Sequence, residues 1–106
     1  MLAIVITGCT SQASQPKNLD TFAKCLTEQW MIMYGAPTCP YCQKQRDMFG
    51  ESIQYINYVD CTQEPQRCGN LRGVPSWELN DGNVVEWLQS FASLAAKSNC
   101  PLPEEL

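Results

Sequence analysis

The sequence predicts an α/β domain: a mixed four-stranded sheet flanked by helices, with an extra helix on its N-terminal side. Three observations carry this. The apolar run Trp30 to Tyr34 is followed by Gly35-Ala36-Pro37 and then by a helix-compatible stretch ending near Phe49. A β-branched and aromatic run, Ile53 to Val59, comes next, so a strand–helix–strand crossover sets two strands parallel. Asn80-Asp81-Gly82-Asn83 then separates two short apolar segments and adds an antiparallel hairpin. With 106 residues, 44% hydrophobic and 17% charged, the chain has enough apolar surface for one core and too little length for two domains.

The elements follow in order. Residues 1–17 are read as a signal remnant and tether, and 18–106 as the folded domain. The opening apolar run is shorter than the roughly 20 residues a membrane helix needs, and no basic region precedes it. Ile6-Thr7-Gly8-Cys9 resembles a bacterial lipobox, which makes Cys9 a lipidation candidate. The competing reading is a first strand ending in an ordinary cysteine. Asn18 or Asp20 caps a helix through Phe22, Ala23, Cys25 and Leu26. Trp30 to Tyr34 forms a strand buried on both faces. Thr38 opens a helix from about Cys39 to Phe49, with Pro40 in its first turn and Gly50 at its end. Ile53 to Val59 is the next strand, and Glu64 to Leu71 a short helix broken by Gly73-Val74-Pro75. Ser76 to Leu79 and Val84 to Trp87 form the hairpin. A last helix, Ser90 to Lys97, turns Phe91, Leu94 and Ala95 to one side.

Composition narrows the chemistry. There is no histidine, which excludes imidazole base catalysis, histidine metal ligands, and Ser–His or Cys–His hydrolases. The formal charge of −4 argues against a nucleic-acid or anionic-lipid surface, because phosphate binding needs a basic patch. Seven cysteines in so short a chain point to sulfur chemistry. Cys39-Pro40-Tyr41-Cys42 opens a helix directly after a buried strand. Spacing of three puts both sulfurs on one turn, within disulfide reach. The free N–H groups and positive end of the helix favour thiolate over thiol at Cys39. Cys39 is then the exposed nucleophile and Cys42 the buried resolving thiol. Zinc bound by Cys39, Cys42, Cys61 and Cys68 is the competing reading, as is a purely structural bridge; the second pair lacks the C-x2-C spacing of a zinc site.

Met33-Tyr34-Gly35-Ala36-Pro37-Thr38-Cys39-Pro40-Tyr41-Cys42-Gln43-Lys44-Gln45, Met48-Phe49-Gly50, Ile56-Asn57-Tyr58-Val59-Asp60-Cys61 and Gly73-Val74-Pro75-Ser76-Trp77 together resemble a thioredoxin-like fold. The closest resemblance is to the thioredoxin-like domain associated with bacterial vitamin K epoxide reductase homologues, over about residues 20–99. The resemblance implies a cis Val74–Pro75 bond beside the cysteine pair. It also implies a loop that offers backbone groups to an extended substrate, and a disulfide between Cys61 and Cys68. Spacing alone says only that Cys61 and Cys68 could close a short loop; an electron relay to Cys39–Cys42 is the alternative. Three departures stand out. Met33 occupies the place of the buried aspartate of thioredoxins proper. Cys-Pro-Tyr-Cys is the dipeptide context of glutaredoxins, without a glutathione site beside it. The glycine common after the hairpin is replaced near Glu86-Trp87.

Cys25 and Cys100 would tie the terminal elements together if bridged, leaving Cys9 unpaired. Three bridges imply an oxidising, extracytoplasmic setting on the periplasmic or envelope side, with lipid anchoring through Cys9. Tyr41, Val74, Pro75 and Trp77 are the expected substrate contacts, while Trp30 and Trp87 are read as packing. Asp60 is the nearest candidate proton acceptor but reads better as a loop carboxylate at a strand end. Lys44 and Arg46 read as a solvated helix face, the alternative being that they raise the local potential. The expected activity is thiol–disulfide exchange with exported protein thiols, needing no cofactor beyond the redox-active disulfide and no metal. The expected partners are protein thiols and disulfides and a quinone-linked, vitamin K epoxide reductase-like membrane oxidoreductase. No nucleic acid is expected, and the chain is expected to act as a monomer. A reductase, isomerase or glutaredoxin-like enzyme is the alternative, and a non-catalytic binding module the alternative of another class.

Overall fold

The computed structural model describes residues 17–103. The lipobox-like stretch with Cys9 and the tether up to residue 16 lie outside the described residues. Helix α1 (Lys17–Glu28) begins before Asn18, so Asn18 and Asp20 sit inside its first turn instead of capping it. Asp20 accepts a hydrogen bond from Ser52 Oγ, across the chain. Leu19, Phe22, Ala23 and Leu26 recur at helical spacing and are all buried.

The helix ends in a left-handed turn, with Trp30 at φ 66°. Trp30 N–H donates to Thr27 O at 3.0 Å and Met31 N–H to Leu26 O at 3.1 Å. This corrects the expected strand start: Trp30 belongs to the helix-ending turn and is 77% exposed, so it is neither strand nor packing. Strand β1 (Ile32–Gly35) follows, with Met33, Tyr34 and Gly35 buried.

Helix α2 (Pro40–Phe49) ends at Gly50, which has φ 57°. The apolar run after it is divided between two elements. Gly50–Tyr55 is a 3-10 helix, and only Tyr58–Asp60 forms strand β2. The cause is docking against α1. Thr27 Oγ1 donates to Tyr55 O at 2.7 Å and accepts from Asn57 N–H at 3.2 Å. Lys24 Nζ sits 4.5 Å from the centre of the Tyr55 ring. A run of apolar residues signals burial, and the tight turn meets that signal without a strand, packing Ile53 against the core and burying Ile56 just after it. The expected helix after Glu64 is reduced to a 3-10 turn, Pro65–Cys68.

Strands β3 (Ser76–Glu78) and β4 (Val84–Glu86) complete a four-stranded sheet in the order β2-β1-β3-β4. β1 and β2 run parallel, with Met33 beside Tyr58 and Gly35 beside Asp60. β1–β3 and β3–β4 are antiparallel, placing Met33 beside Trp77 and Trp77 beside Val85. In the hairpin, Gly82 N–H donates to Leu79 O at 2.9 Å and Leu79 N–H to Asn83 O at 2.8 Å. The loop therefore has three residues, with Gly82 at φ 86° in the left-handed position that closes it. Helix α3 (Phe91–Ser98) is capped by Ser90, whose Oγ accepts from Ser93 N–H at 3.0 Å. This mixed sheet flanked by three helices is a thioredoxin-like fold.

The helices meet on the sheet face that carries Met33 and Trp77. Phe49 contacts Phe22, Phe91 and Trp77, with ring centres 6.5, 5.0 and 6.2 Å apart. One polar side chain is buried among them. Gln45 Oε1 accepts from Trp77 Nε1 at 3.0 Å and from Gln89 N–H at 2.8 Å, and its Nε2 donates to Gln89 O at 3.1 Å. Gln45 thereby joins α2 to β3 and to the segment entering α3. On the other face, Tyr34 donates to Glu78 Oε1 at 2.6 Å.

Candidate active site

Cys39 is the N-cap of α2, in extended backbone conformation. Pro40 takes the first helical position, where its missing N–H has no intrahelical partner to lose. The helix therefore starts abruptly. Cys42 N–H points back at Cys39 Sγ, donating at 3.1 Å. The two Cα atoms are 5.2 Å apart and the sulfurs form a disulfide. The two cysteines differ in access. Cys39 is half-buried, whereas Cys42 is 1% exposed. When the bridge is reduced, the N–H that caps Cys39 and the positive end of the helix stabilise a thiolate there. An incoming sulfur can reach Cys39, and Cys42 waits behind it.

The loop before β3 closes one side of this pair. Cys39 Sγ lies 3.6 Å from Val74 O, and the Val74–Pro75 peptide bond is cis. Ser76 Oγ donates to Gly73 O at 2.7 Å, fixing the loop from below. Val74 is half-buried and Pro75 buried, so the loop faces the sulfur through its backbone. Tyr41 projects from α2 at 43% exposure, with Lys44 Nζ 5.2 Å from its ring centre.

Trp77 does not belong to this surface. Its side chain is fully buried and bonded to Gln45, because the register that pairs it with Met33 turns it into the core. The exposed indole beside the site is instead that of Trp87, 54% exposed and so not the packing residue the sequence suggests. Its ring lies 4.8 Å from that of Tyr41, and the backbone N–H of Trp87 donates to Pro75 O at 2.8 Å. Trp87 has φ 84°, a conformation that favours glycine. The replaced glycine after the hairpin was the available signal; the contact with Tyr41, far away in sequence, was not readable.

Behind Cys42 the backbone of β1 makes room. A Cβ on Gly35 would stand 2.9 Å from Tyr58 Oη and 3.3 Å from Cys42 Cβ, so a larger residue there would force the Tyr58 ring to shift. The Arg46 guanidinium lies 4.6 Å from the centre of the Tyr58 ring. Arg46 is not a solvated residue: its Nε is buried and, among the described residues, has no hydrogen-bond partner. Burial pushes the Tyr58 hydroxyl above the usual phenol range, with the Arg46 charge acting in the opposite sense. Asp60 accepts from Thr62 Oγ1 at 2.6 Å and from Thr62 N–H at 2.9 Å. The bond from the Thr62 hydroxyl is the main reason its carboxyl is held below the ordinary value. It is a turn-forming carboxylate.

The remaining described cysteines pair as Cys25–Cys100 and Cys61–Cys68, with Cα separations of 6.0 and 5.8 Å. Cys61 N–H donates to Gly35 O at 2.8 Å, which ties the second bridge to the end of β1. Among the described residues, no three His, Cys, Asp or Glu side chains converge as metal ligands would, and no helix is long and apolar enough to cross a membrane.

No family model matches the chain. Over 105 aligned residues, 89% of this chain, the sequence is 33% identical to Thiol-disulfide oxidoreductase LTO1 of Arabidopsis thaliana, of which it covers 27%. It is also 28% identical over 81 residues, 65% of this chain, to an uncharacterized protein of Schizosaccharomyces pombe, of which it covers 11%. The chain thus spans about a quarter or less of the length of these relatives. The domain that carries the Cys39–Cys42 pair is similar, over nearly its whole length, to one part of a larger thiol–disulfide oxidoreductase.

Proposed function

We propose that this chain is a thiol–disulfide oxidoreductase that exchanges disulfides with exported protein thiols through Cys39 and Cys42. The observation that carries the reading is the unequal access of the two cysteines at the start of α2: Cys39 half-buried and capped by an N–H, Cys42 buried one turn on. In the oxidising direction, a substrate thiolate attacks Cys39 Sγ and Cys42 leaves as thiolate. A second substrate thiolate then attacks the substrate sulfur of the mixed disulfide, and Cys39 leaves. The substrate gains a disulfide, and two electrons remain on the chain as two thiols. The carbonyl of Val74 beside Cys39, and the exposed rings of Tyr41 and Trp87, bound the surface on which the substrate segment lies. A membrane oxidoreductase of the quinone-linked, vitamin K epoxide reductase-like kind reoxidises the pair by the same exchange. No cofactor beyond the disulfide enters the scheme. Two further disulfides favour an extracytoplasmic, oxidising setting.

Trapping tests the reading. Cys42→Ser is expected to accumulate mixed disulfides between Cys39 and substrate proteins, visible as reductant-sensitive adducts. Cys39→Ser is expected to abolish both exchange and adducts while the fold persists. A Cys39→Ser variant with full activity sinks the proposal in favour of a binding module. Equilibration of the pair in glutathione buffers sets the direction. A potential of about −200 to −120 mV belongs to a protein oxidant or isomerase, and one near −270 mV to a reductase.

A further inference from the structure

The oxidoreductase reading leaves one step without a partner group. When a probe or substrate sulfur occupies Cys39, Cys42 must lose a proton and attack as a thiolate from a site with almost no solvent contact. Burial in apolar surroundings disfavours that charge. The groups facing it can be enumerated. From β1, Met33 and Gly35 share the face toward α2, and neither titrates. From β2, the register places Tyr58 and Asp60 on that same face. Asp60 is bound to Thr62 at the exposed strand end. From α2 itself comes Arg46, whose guanidinium lies against Tyr58. The Val74–Pro75 loop brings only its backbone to the other cysteine.

We propose that Tyr58, backed by Arg46, is a positioning residue for Cys42: its hydroxyl donates a hydrogen bond to the Cys42 thiolate in the resolving step. The inference rests on the oxidoreductase reading. Its geometric basis is Gly35: the position its Cβ would occupy is only 2.9 Å from Tyr58 Oη and 3.3 Å from Cys42 Cβ, so the absence of a side chain lets the phenol and the cysteine approach the same point of β1. A hydroxyl pushed above the usual phenol range by burial keeps its proton and so remains a donor at neutral pH. The Arg46 cation over the ring adds favourable potential, and its buried Nε–H is otherwise unused. The Cys42 proton itself leaves to solvent. The Cys42 thiolate then forms a bond to Cys39 Sγ, and the group on Cys39 departs as a thiolate with the electron pair of the broken S–S bond.

The test uses the full chain with only the Cys39–Cys42 pair reduced, and 5,5′-dithiobis(2-nitrobenzoate) as probe. Cys39 attack releases the first thionitrobenzoate, and Cys42 attack releases the second, so the phases report the two cysteines separately. Tyr58→Phe removes only the hydroxyl. It is expected to slow the second phase about tenfold or more at neutral pH, the range for a hydrogen bond to a charged group. The midpoint of that phase's pH profile should move upward, and the first phase should be unchanged. Arg46→Met keeps the hydroxyl and removes the cation; it is expected to move the same phase in the same direction by a smaller factor. A second phase of ordinary rate and pH profile in both variants overturns the proposal, as does equal slowing of both phases. Failure of the oxidoreductase reading looks different: then Cys42→Ser traps no protein substrate, whatever Tyr58→Phe does to the probe.

Discussion

Trp87 concentrates what single residues contribute here. It holds φ 84° and leaves 54% of its surface in water, yet its N–H and its ring both lie against the active-site loop and helix. Left-handed backbone at a bulky residue costs about 1–3 kcal/mol and persists where something else gains from it. The gain proposed is a large apolar ring placed beside Tyr41, on the path of an incoming segment. Trp87→Gly is therefore expected to raise the melting temperature, because glycine adopts this φ freely, while weakening exchange with protein substrates through a higher KM. Exchange with a small aryl disulfide should be unaffected. A fall in melting temperature with unchanged protein-substrate kinetics would show that the indole serves packing alone. At this scale the sequence is legible where the chemistry is local. Cys39 and Cys42 are one turn apart, and their helix start is marked by Pro40. It is illegible where partners are distant in sequence: Trp87 with Tyr41, Gln45 with Trp77.

Elements are joined by the two bridges outside the active site, and chain length sets their unequal weight. Cys25–Cys100 closes 75 residues of separation, tying α1 to the end of α3, whereas Cys61–Cys68 closes only 7. Loop-closure entropy then assigns about 4 kcal/mol to the first and about 2 kcal/mol to the second. Replacing Cys25 and Cys100 together by serine should lower the unfolding free energy by about twice as much as replacing Cys61 and Cys68. Denaturant titration of the two double variants measures this, and equal losses would contradict it. The same scale explains which elements could be read in advance. α2, α3 and the hairpin carry their own punctuation: Pro40 and Gly50, Ser90, Asp81-Gly82. The run Ile53 to Val59 carries none, and Thr27 of α1 decides its path by bonding Tyr55 and Asn57. Likewise the strand expected to start at Trp30 starts at Ile32, since α1 needs a left-handed turn to finish.

The whole molecule responds to pH through groups lodged on both faces of the sheet. Burial, followed by the bond to Glu78 and that residue's charge, pushes the Tyr34 hydroxyl upward. Burial does the same for Tyr58, with Asp60 adding to it and Arg46 opposing. A phenol whose folded value exceeds its unfolded value of about 10 binds its proton more tightly in the native state. Its stabilising contribution is complete below that unfolded value and is lost as pH rises through the folded one. The two tyrosines act in the same direction, so stability is expected to fall from about pH 10 upward. In acid, Asp60 has the opposite sign: its lowered value stabilises above the unfolded carboxylate range and the contribution disappears as pH drops. Because Asp60 is only half-buried, at the end of β2, the acid limb should be shallow beside the alkaline one. Tryptophan fluorescence during denaturant unfolding, with all three bridges oxidised, gives the profile. Tyr34→Phe should flatten the alkaline limb in part, and Tyr34→Phe with Tyr58→Phe should flatten it further. An alkaline limb of unchanged steepness in the double variant would place its origin elsewhere and contradict the upward shift of both hydroxyls, although Tyr58 would still carry its proton at neutral pH. The same hydroxyl thus connects stability to exchange: the pH at which Tyr58 ionises in the folded chain is also the pH above which it can no longer donate to Cys42.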